Sequence, residues 1–322
     1  MTLAKGGLKV NLGAFVNHVF NELSFEEMLD FLKYHQVEAV ELATGNYPGD
    51  RFVPLDELLV DATKRRAFIN EVERRGLFIS AFACHGNPLS PNVELARQHH
   101  ETVIKTIELA GKLGVPFVTG FSGMPGPPDH SMYPNFPTAP WPPEYHEIYE
   151  WQWENVVIPY WREVGRFAAA HRVKLAIEPH GCFSVHSPYT LLKLRDAVGD
   201  VIGANIDAAH LWWQGINVIE AIRIFGDEEA IYHFSSKDVA FNRSNLNLHG
   251  VLDMQPFSDV KNRSWTFRTI GYGQSLKTWT DIISALKTNQ YNYVVNIEQD
   301  DYLIDGLIGF QKAARTLKKL LL

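Results

Sequence analysis

The stretch IGANIDAAH, residues 202–210, joins a buried strand pattern to a carboxylate and an imidazole. Its apolar part is as long as a typical β-strand, and Asp207 stands where that strand is predicted to end. His210 follows three residues later. Because a lone carboxylate is costly to bury, this position indicates a partner or a bound cation.

Seven other short apolar runs share this length and this enrichment in Val, Ile and Phe. They are Leu8–Phe15, Val37–Ala43, Leu77–Cys84, Pro116–Ser122, Val173–Pro179, Ala230–Ser236 and Tyr293–Gln299. Helical patterns lie between them: Ser24 and Glu27 predict a capping box, and Gly76 and Gly114 predict helix ends. Later helices are predicted over 144–171, 188–198, 216–226, 275–288 and 303–320.

Eight strands that alternate with eight helices predict an α/β fold, a closed (β/α)8 TIM barrel. We expect a single domain over 1–322, since no linker or shorter repeat is visible. The alternative is an open doubly wound sheet. Against it, no Gly-rich phosphate-binding turn follows the early strands.

Two connections are too long to be simple turns. The loop after strand 4, at 123–145, holds eight of the 17 prolines and several aromatic residues, including Trp141. Prolines restrict the backbone, so this loop is either a stiff surface loop or an aromatic lid over the barrel mouth. The connection after strand 7, at 239–273, is interpreted as a second lid or an oligomer contact.

Side chains that bind metals stand at the ends of four successive predicted strands. They are Glu178, Asp207, His233 and Glu298. Because the carboxyl ends of parallel strands meet at one rim, these side chains are predicted to hold one divalent cation. Mn²⁺, Mg²⁺, Co²⁺ and Zn²⁺ all suit such a set, and the absence of thiolates argues against a structural zinc site. The alternative is that each residue caps a helix or pairs with a lysine.

Further polar and aromatic side chains follow the same predicted strand ends. The residues predicted to bind substrate are His85, His180, His210, Trp213, Lys237 and, on the lid, Trp141. Imidazoles and ammonium groups hydrogen-bond sugar hydroxyls, and indole faces stack on the CH side of a sugar. His210 is the strongest candidate because it directly follows a predicted ligand. Each residue taken alone also fits an ordinary surface or hydrogen-bonding role.

Composition limits the class of protein. The formal net charge is −7 and 46% of the 322 residues are apolar, which argues against disorder and against a nucleic-acid partner. No apolar run is long enough to span a membrane, and the first ten residues lack the apolar core of a signal peptide. Two cysteines cannot form a disulfide framework, and both are predicted to be small buried side chains. We therefore expect a cytoplasmic protein without a membrane partner.

The ordered set Glu178, Asp207 with His210, His233 and Glu298 resembles the xylose isomerase-like barrels, in particular the sugar (phosphate) isomerase/epimerase group. Segments such as GANIDAAHLWWQG and RTIGYG look like its longer bacterial members. The resemblance implies one divalent ion, most often Mn²⁺, on these four ligands. It also implies that Glu178 and Glu298 move the proton and that His210 holds a substrate oxygen. The 65 residues from His233 to Glu298 exceed the spacing of the short epimerases.

The chain also resembles the large subunits of C-glycoside deglycosidases. That likeness implies cleavage of a 3-oxo-C-glycoside, a small partner subunit, and a histidine base, for which His146 is the candidate. The alternative for His146 is a polar position at the start of a helix.

The expected function is that of a divalent-metal-dependent isomerase or epimerase that acts on an unphosphorylated keto sugar through an enediolate. The alternatives are the deglycosidase and a non-catalytic sugar-binding barrel without a metal. The expected partners are a small sugar or glycoside and either further copies of this chain or a small subunit.

Overall fold

The computed structural model of the protein describes residues 9–128 and 131–321. Eight parallel strands form a closed barrel in the order β1-β10-β7-β6-β5-β4-β3-β2. They are β1 Asn11–Val16, β2 Ala39–Ala43, β3 Phe78–Ala83, β4 Phe117–Gly120, β5 Lys174–Ile177, β6 Ile202–Asp207, β7 Ile231–Ser236 and β10 Val294–Ile297. The predicted barrel is confirmed. Residues 1–8, which include Leu8 of the first predicted run and most of the stretch used for the signal-peptide prediction, lie outside the described residues. Asp129 and His130 of the predicted lid also lie outside them.

Twelve α-helices lie in the described part of the chain. They are α1 Phe25–Tyr34, α2 Leu55–Val60, α3 Ala62–Glu73, α4 Val93–Leu113, α5 Pro143–Gln152, α6 Ile158–Ala170, α7 Pro188–Val198, α8 Ala208–Trp213, α9 Val218–Asp227, α10 Arg243–His249, α11 Leu276–Thr288 and α12 Gly306–Leu321. A π-helical turn, Trp153–Val157, joins α5 to α6. The helix predicted over 144–171 is therefore two α-helices with one widened turn between them.

Local sequence signals account for several helix boundaries. The Ser24 hydroxyl accepts the N–H of Glu27, and the Glu27 carboxylate accepts the N–H of Ser24, which confirms the capping box of α1. α4 ends at Gly114, whose φ of 69° lies in the left-handed region that favours glycine. The short helices α2 and α8 were not predicted, because six residues carry too little periodicity.

The chain divides into two compact units. The first comprises the described part of Met1–Val40, Arg75–Phe78 and Ile206–Leu322; the second comprises Glu41–Arg74 and Ile79–Asn205. In the first unit β10 pairs with both β1 and β7, and in the second unit β4 pairs with β3 and β5. The single-domain expectation for 1–322 stays a prediction.

The connection after β7 contains a small antiparallel sheet. Its strands are β8 Asp238–Phe241 and β9 Trp265–Arg268, with Val239 opposite Phe267. The sequence predicted a long connection there but not this sheet. No helix among residues 9–128 and 131–321 is both long and apolar enough to cross a membrane.

Candidate active site

Glu178 is a buried carboxylate that directly follows β5 in the second unit. It is 4% exposed, and its Oε2 lies 3.2 Å from Nε2 of His85. Nδ2 of Asn205 donates to the same oxygen at 3.3 Å. An imidazole and an amide therefore surround this carboxylate, and the structure brings together two of the predicted site residues, Glu178 and His85.

An aromatic group adjoins this carboxylate in the second unit. Phe121 stacks on Phe183 with ring centroids 4.3 Å apart and 23° between the planes. The rings of His85 and His180 lie 4.7 and 4.8 Å from Phe121. Nδ1 of the half-buried His180 lies 2.5 Å from the carbonyl oxygen of Gly181. The sequence analysis missed both phenylalanines, although Phe121 directly follows β4, as predicted ligands follow their strands; Phe183 lies six residues after β5.

Asp207 ends β6 in the first unit and is fully buried. Its Oδ1 accepts the backbone N–H groups of Ala209 at 2.8 Å and His210 at 3.2 Å, so this carboxylate caps α8. Its Oδ2 lies 3.6 Å from Nε2 of His210. The helix-capping alternative from the sequence analysis therefore describes Asp207, and its role as a metal ligand stays a prediction.

Trp213 is buried beside His210. Its indole N–H donates to Nδ1 of His210 at 3.0 Å, and its ring stacks on Trp265 with centroids 4.9 Å apart and 7° between the planes. Trp265 therefore covers one face of the Trp213 indole, and the substrate-binding role of Trp213 stays a prediction. The sequence could not reveal the stack, because Trp265 comes from the small sheet in the long connection.

His233 lies inside β7 and not at its end. It is the third of six strand residues, is fully buried, and has its Nε2 3.4 Å from Nδ2 of Asn296. The strand continues to Ser236 because Phe234, Ser235 and Ser236 still pair with β10. The strand-end position inferred from the sequence is therefore wrong for His233, and its role as a metal ligand stays a prediction.

Glu298 follows β10 and forms an ion pair with Lys237. Nζ of Lys237 lies 2.6 Å from Oε1 of Glu298 and 2.6 Å from Oδ2 of Asp300, and it also lies over the Phe267 ring. Burial lowers the pKa of the Lys237 ammonium, but the carboxylates of Asp300 and Glu298 outweigh this and raise it well above its usual value. The lysine-paired alternative from the sequence analysis therefore describes Glu298.

The described part of the predicted lid is hydrogen-bonded to Gln152 at three residues and is exposed at Trp141. Nε2 of Gln152 lies within 3.2 Å of three carbonyl oxygens of the loop, those of Pro125, Gly126 and Asn135. Trp141 is 76% exposed. His146 is exposed on α5, with its Nε2 3.4 Å from Glu150. The lid, the substrate-binding role of Trp141 and the base role of His146 stay predictions.

The available donor set suits a divalent cation bound without thiolates. Cys84 is buried, as predicted, and burial raises the pKa of its thiol to about 12. Cys182 is exposed, contrary to the prediction, because it lies in a surface turn at a φ of 71°. In the second unit, Glu178 and His180 offer a carboxylate and an imidazole to a metal ion. Carboxylate and imidazole donors fit Mn²⁺, Mg²⁺, Co²⁺ and Zn²⁺.

Comparison with known proteins establishes the family. A family model described as xylose isomerase-like TIM barrel matches residues 29–320. The chain belongs to this family. An uncharacterized protein of Bacillus subtilis (strain 168), YfiH, is 37% identical over 310 residues, which cover 95% of this chain and 98% of YfiH.

Two solved structures of other proteins share the fold of this xylose isomerase-like barrel. The probable 3-DHS dehydratase AsbF from Bacillus anthracis, involved in petrobactin synthesis, has a TM-score of 0.67 and 13% identity, covering 96% of this chain and 99% of that chain. The D-psicose 3-epimerase from Clostridium cellulolyticum H10, solved with D-tagatose, has a TM-score of 0.61 and 13% identity, covering 97% and 98%. At these identities the likeness concerns the fold.

Proposed function

We propose that this xylose isomerase-like barrel is a divalent-metal-dependent isomerase or epimerase of an unphosphorylated keto sugar. The observation that carries the proposal is Glu178, a buried carboxylate directly after β5 with His85 and Asn205 on its Oε2. A carboxylate is costly to bury as an ion, and a bound divalent cation compensates for that cost. Membership of a barrel family whose fold is shared with a sugar epimerase supports the choice of substrate.

The proposed ligands are Glu178, Asp207, His233 and Glu298, with Mn²⁺ as the first candidate. When bound, the ion would polarise a substrate carbonyl and make the adjacent C–H acidic. Glu178 and Glu298 would then remove and return the proton. Lys237 keeps a positive charge beside Glu298, which favours the carboxylate form that a base requires.

Hydrogen exchange tests the proton-transfer pair. In deuterated water with Mn²⁺ and a panel of keto sugars, the native protein should incorporate deuterium next to the carbonyl. Glu178→Gln and Glu298→Gln should each reduce the rate by at least about 10²-fold, the usual contribution of a general base. Glu94→Gln, which alters an exposed glutamate of α4, is the control and should exchange at the native rate. Native exchange in either site variant would reject that residue as a base.

Metal binding tests the ligand set separately from catalysis. Titration calorimetry with Mn²⁺ should show strong binding to the native protein and loss of binding in Glu178→Gln and Asp207→Asn. His233→Ala and His180→Ala test which of the two histidines supplies the imidazole ligand. Loss of binding in His180→Ala together with native binding in His233→Ala would replace His233 by His180 in the proposed set.

A further inference from the structure

The long connection after β7 packs an aromatic ladder against α8 within the first unit. Trp265 and Phe267 lie two residues apart in β9 and join a buried cluster with Ala209, Trp213 and Val239. The connection that the sequence suggested as a lid or an oligomer contact thus contributes a packed core beside the residues that follow Asp207.

Trp265 is held by several contacts. Its indole N–H donates to the carbonyl oxygen of Val251 at 2.9 Å, and its ring stacks on Trp213. The guanidinium of the buried Arg263 lies 4.5 Å from the Trp265 ring centroid and 4.4 Å from that of Phe257. Stacked aromatic and guanidinium groups of this kind contribute on the order of 1 kcal/mol each, so the Trp265 ring has a fixed orientation.

Because the Trp213 ring stacks on the fixed Trp265 ring, the direction of the Trp213 indole N–H is fixed as well. An indole nitrogen can only donate a hydrogen bond, and it lies 3.0 Å from Nδ1 of His210. Nδ1 must therefore be the accepting nitrogen of the imidazole. In the neutral ring the proton is then on Nε2. Phe267 contacts the same ring edge-on at 5.4 Å, which limits its rotation.

We propose that Trp213 and Trp265 are positioning residues that hold His210 in the Nε2–H tautomer, so that His210 donates a hydrogen bond to a substrate oxygen and does not bind the metal. A metal-binding histidine usually donates its second N–H to a neighbouring acceptor. In this protein Nδ1 of His210 accepts a hydrogen bond from Trp213, so it has no N–H to donate to such an acceptor. The proposal deepens the proposed function by naming the residues that orient His210, and it rests on that function only for the identity of the oxygen.

The tautomer can be measured without substrate or metal. Long-range ¹H–¹⁵N correlation spectra of the ¹⁵N-labelled protein at pH 8, well above the ordinary histidine pKa of about 6.5, distinguish the two neutral forms. His210→Gln assigns the signals. The native protein should show His210 protonated on Nε2, and added Zn²⁺ should leave that proton in place. A proton on Nδ1, or replacement of the Nε2 proton by Zn²⁺, would overturn the proposal even if the proposed catalysis is correct.

Variants test the two tryptophans. Trp213→Phe keeps an aromatic ring for stacking but removes the donor, and it should abolish the preference for the Nε2–H form. Trp265→Ala should weaken the preference by removing the stack. Trp212→Phe is the control, because it changes a ring at the edge of the same cluster, next to Trp279, and leaves the Trp213 donor in place. An unchanged tautomer in a folded Trp213→Phe protein would refute the positioning role.

Activity gives a second measurement once a substrate is found. Trp213→Phe should lower kcat by about tenfold, the loss expected when one oriented hydrogen bond weakens, with a smaller effect on KM. Trp212→Phe should leave both constants at native values. A larger effect on KM than on kcat would contradict a role expressed during the reaction.

Discussion

The residues just after β5 and just after β10 are both glutamates, yet the protein surrounds them differently. Glu178 contacts an imidazole and an amide, whereas Glu298 contacts the ammonium group of Lys237, which Asp300 also contacts. The first arrangement relies on hydrogen-bond donors and the second on opposite charge. Equal positions at strand ends therefore do not give equal electrostatics.

The largest effect on stability is expected when the ion pair between Lys237 and Glu298 is removed. Lys237→Met leaves Glu298 and Asp300 close together without a counter-charge and should lower the free energy of unfolding by about 3–5 kcal/mol. Urea denaturation measures the change. Lys277→Met is the control, since its pair with Asp281 is solvent-exposed and should contribute little. If Lys237→Met were no more destabilising than the control, the two glutamates would not differ as described.

An intermediate effect is expected on how the free energy of unfolding depends on pH, through Asp301 in the segment after β10. Burial raises the pKa of Asp301, but the N–H groups of Thr269 and Leu303 and the Arg268 guanidinium outweigh this and lower it. Because the folded pKa lies below the unfolded value of about 3.9, the stabilisation is complete above that pH and is lost as the pH falls through the folded pKa.

Asp301→Asn should therefore lower the free energy of unfolding by about 1–2 kcal/mol at pH 7. Urea denaturation from pH 7 down to pH 3 should show the gap to the native protein closing below about pH 4. Asp227→Asn, on an exposed face of α9, should show no comparable gap. A gap that stays constant to pH 3 would contradict the lowered pKa.

The smallest effect tests the turn that follows Glu178. Cys182 adopts a φ of 71° in the turn closed by the N–H of Phe183 and the carbonyl oxygen of His180. A residue with a Cβ atom costs about 1–2 kcal/mol in the left-handed region, and glycine avoids this cost. Glycine also gives the unfolded chain more conformational entropy, which offsets part of the gain. Cys182→Gly should thus raise the free energy of unfolding by about 0.5 kcal/mol in thermal denaturation. Cys182→Ala keeps Cβ and should give no gain; equal stabilisation by both would refute the backbone explanation.

Local patterns predicted most secondary structure but only part of the site. Seven of the eight barrel strands lie within predicted apolar runs, β1 extends one residue beyond its run, and α7 coincides with the predicted 188–198. The run Ala230–Ser236 ends where β7 ends, but His233 was wrongly placed at that end, three residues too early. Pairing continues through Ser235 and Ser236, two polar residues that the pattern places at a strand end.

The sequence by itself determined the barrel, since eight apolar runs separated by helical patterns leave few other ways to bury the strands. It also placed Glu178, Asp207 and Glu298 at the ends of strands. Only the tertiary structure decided what each carboxylate contacts and how His210 is oriented. Lys237 reaches Glu298 across 61 residues, and Trp265 reaches Trp213 from a sheet that the pattern did not reveal. Contacts of this kind depend on how distant segments pack, which local periodicity does not encode.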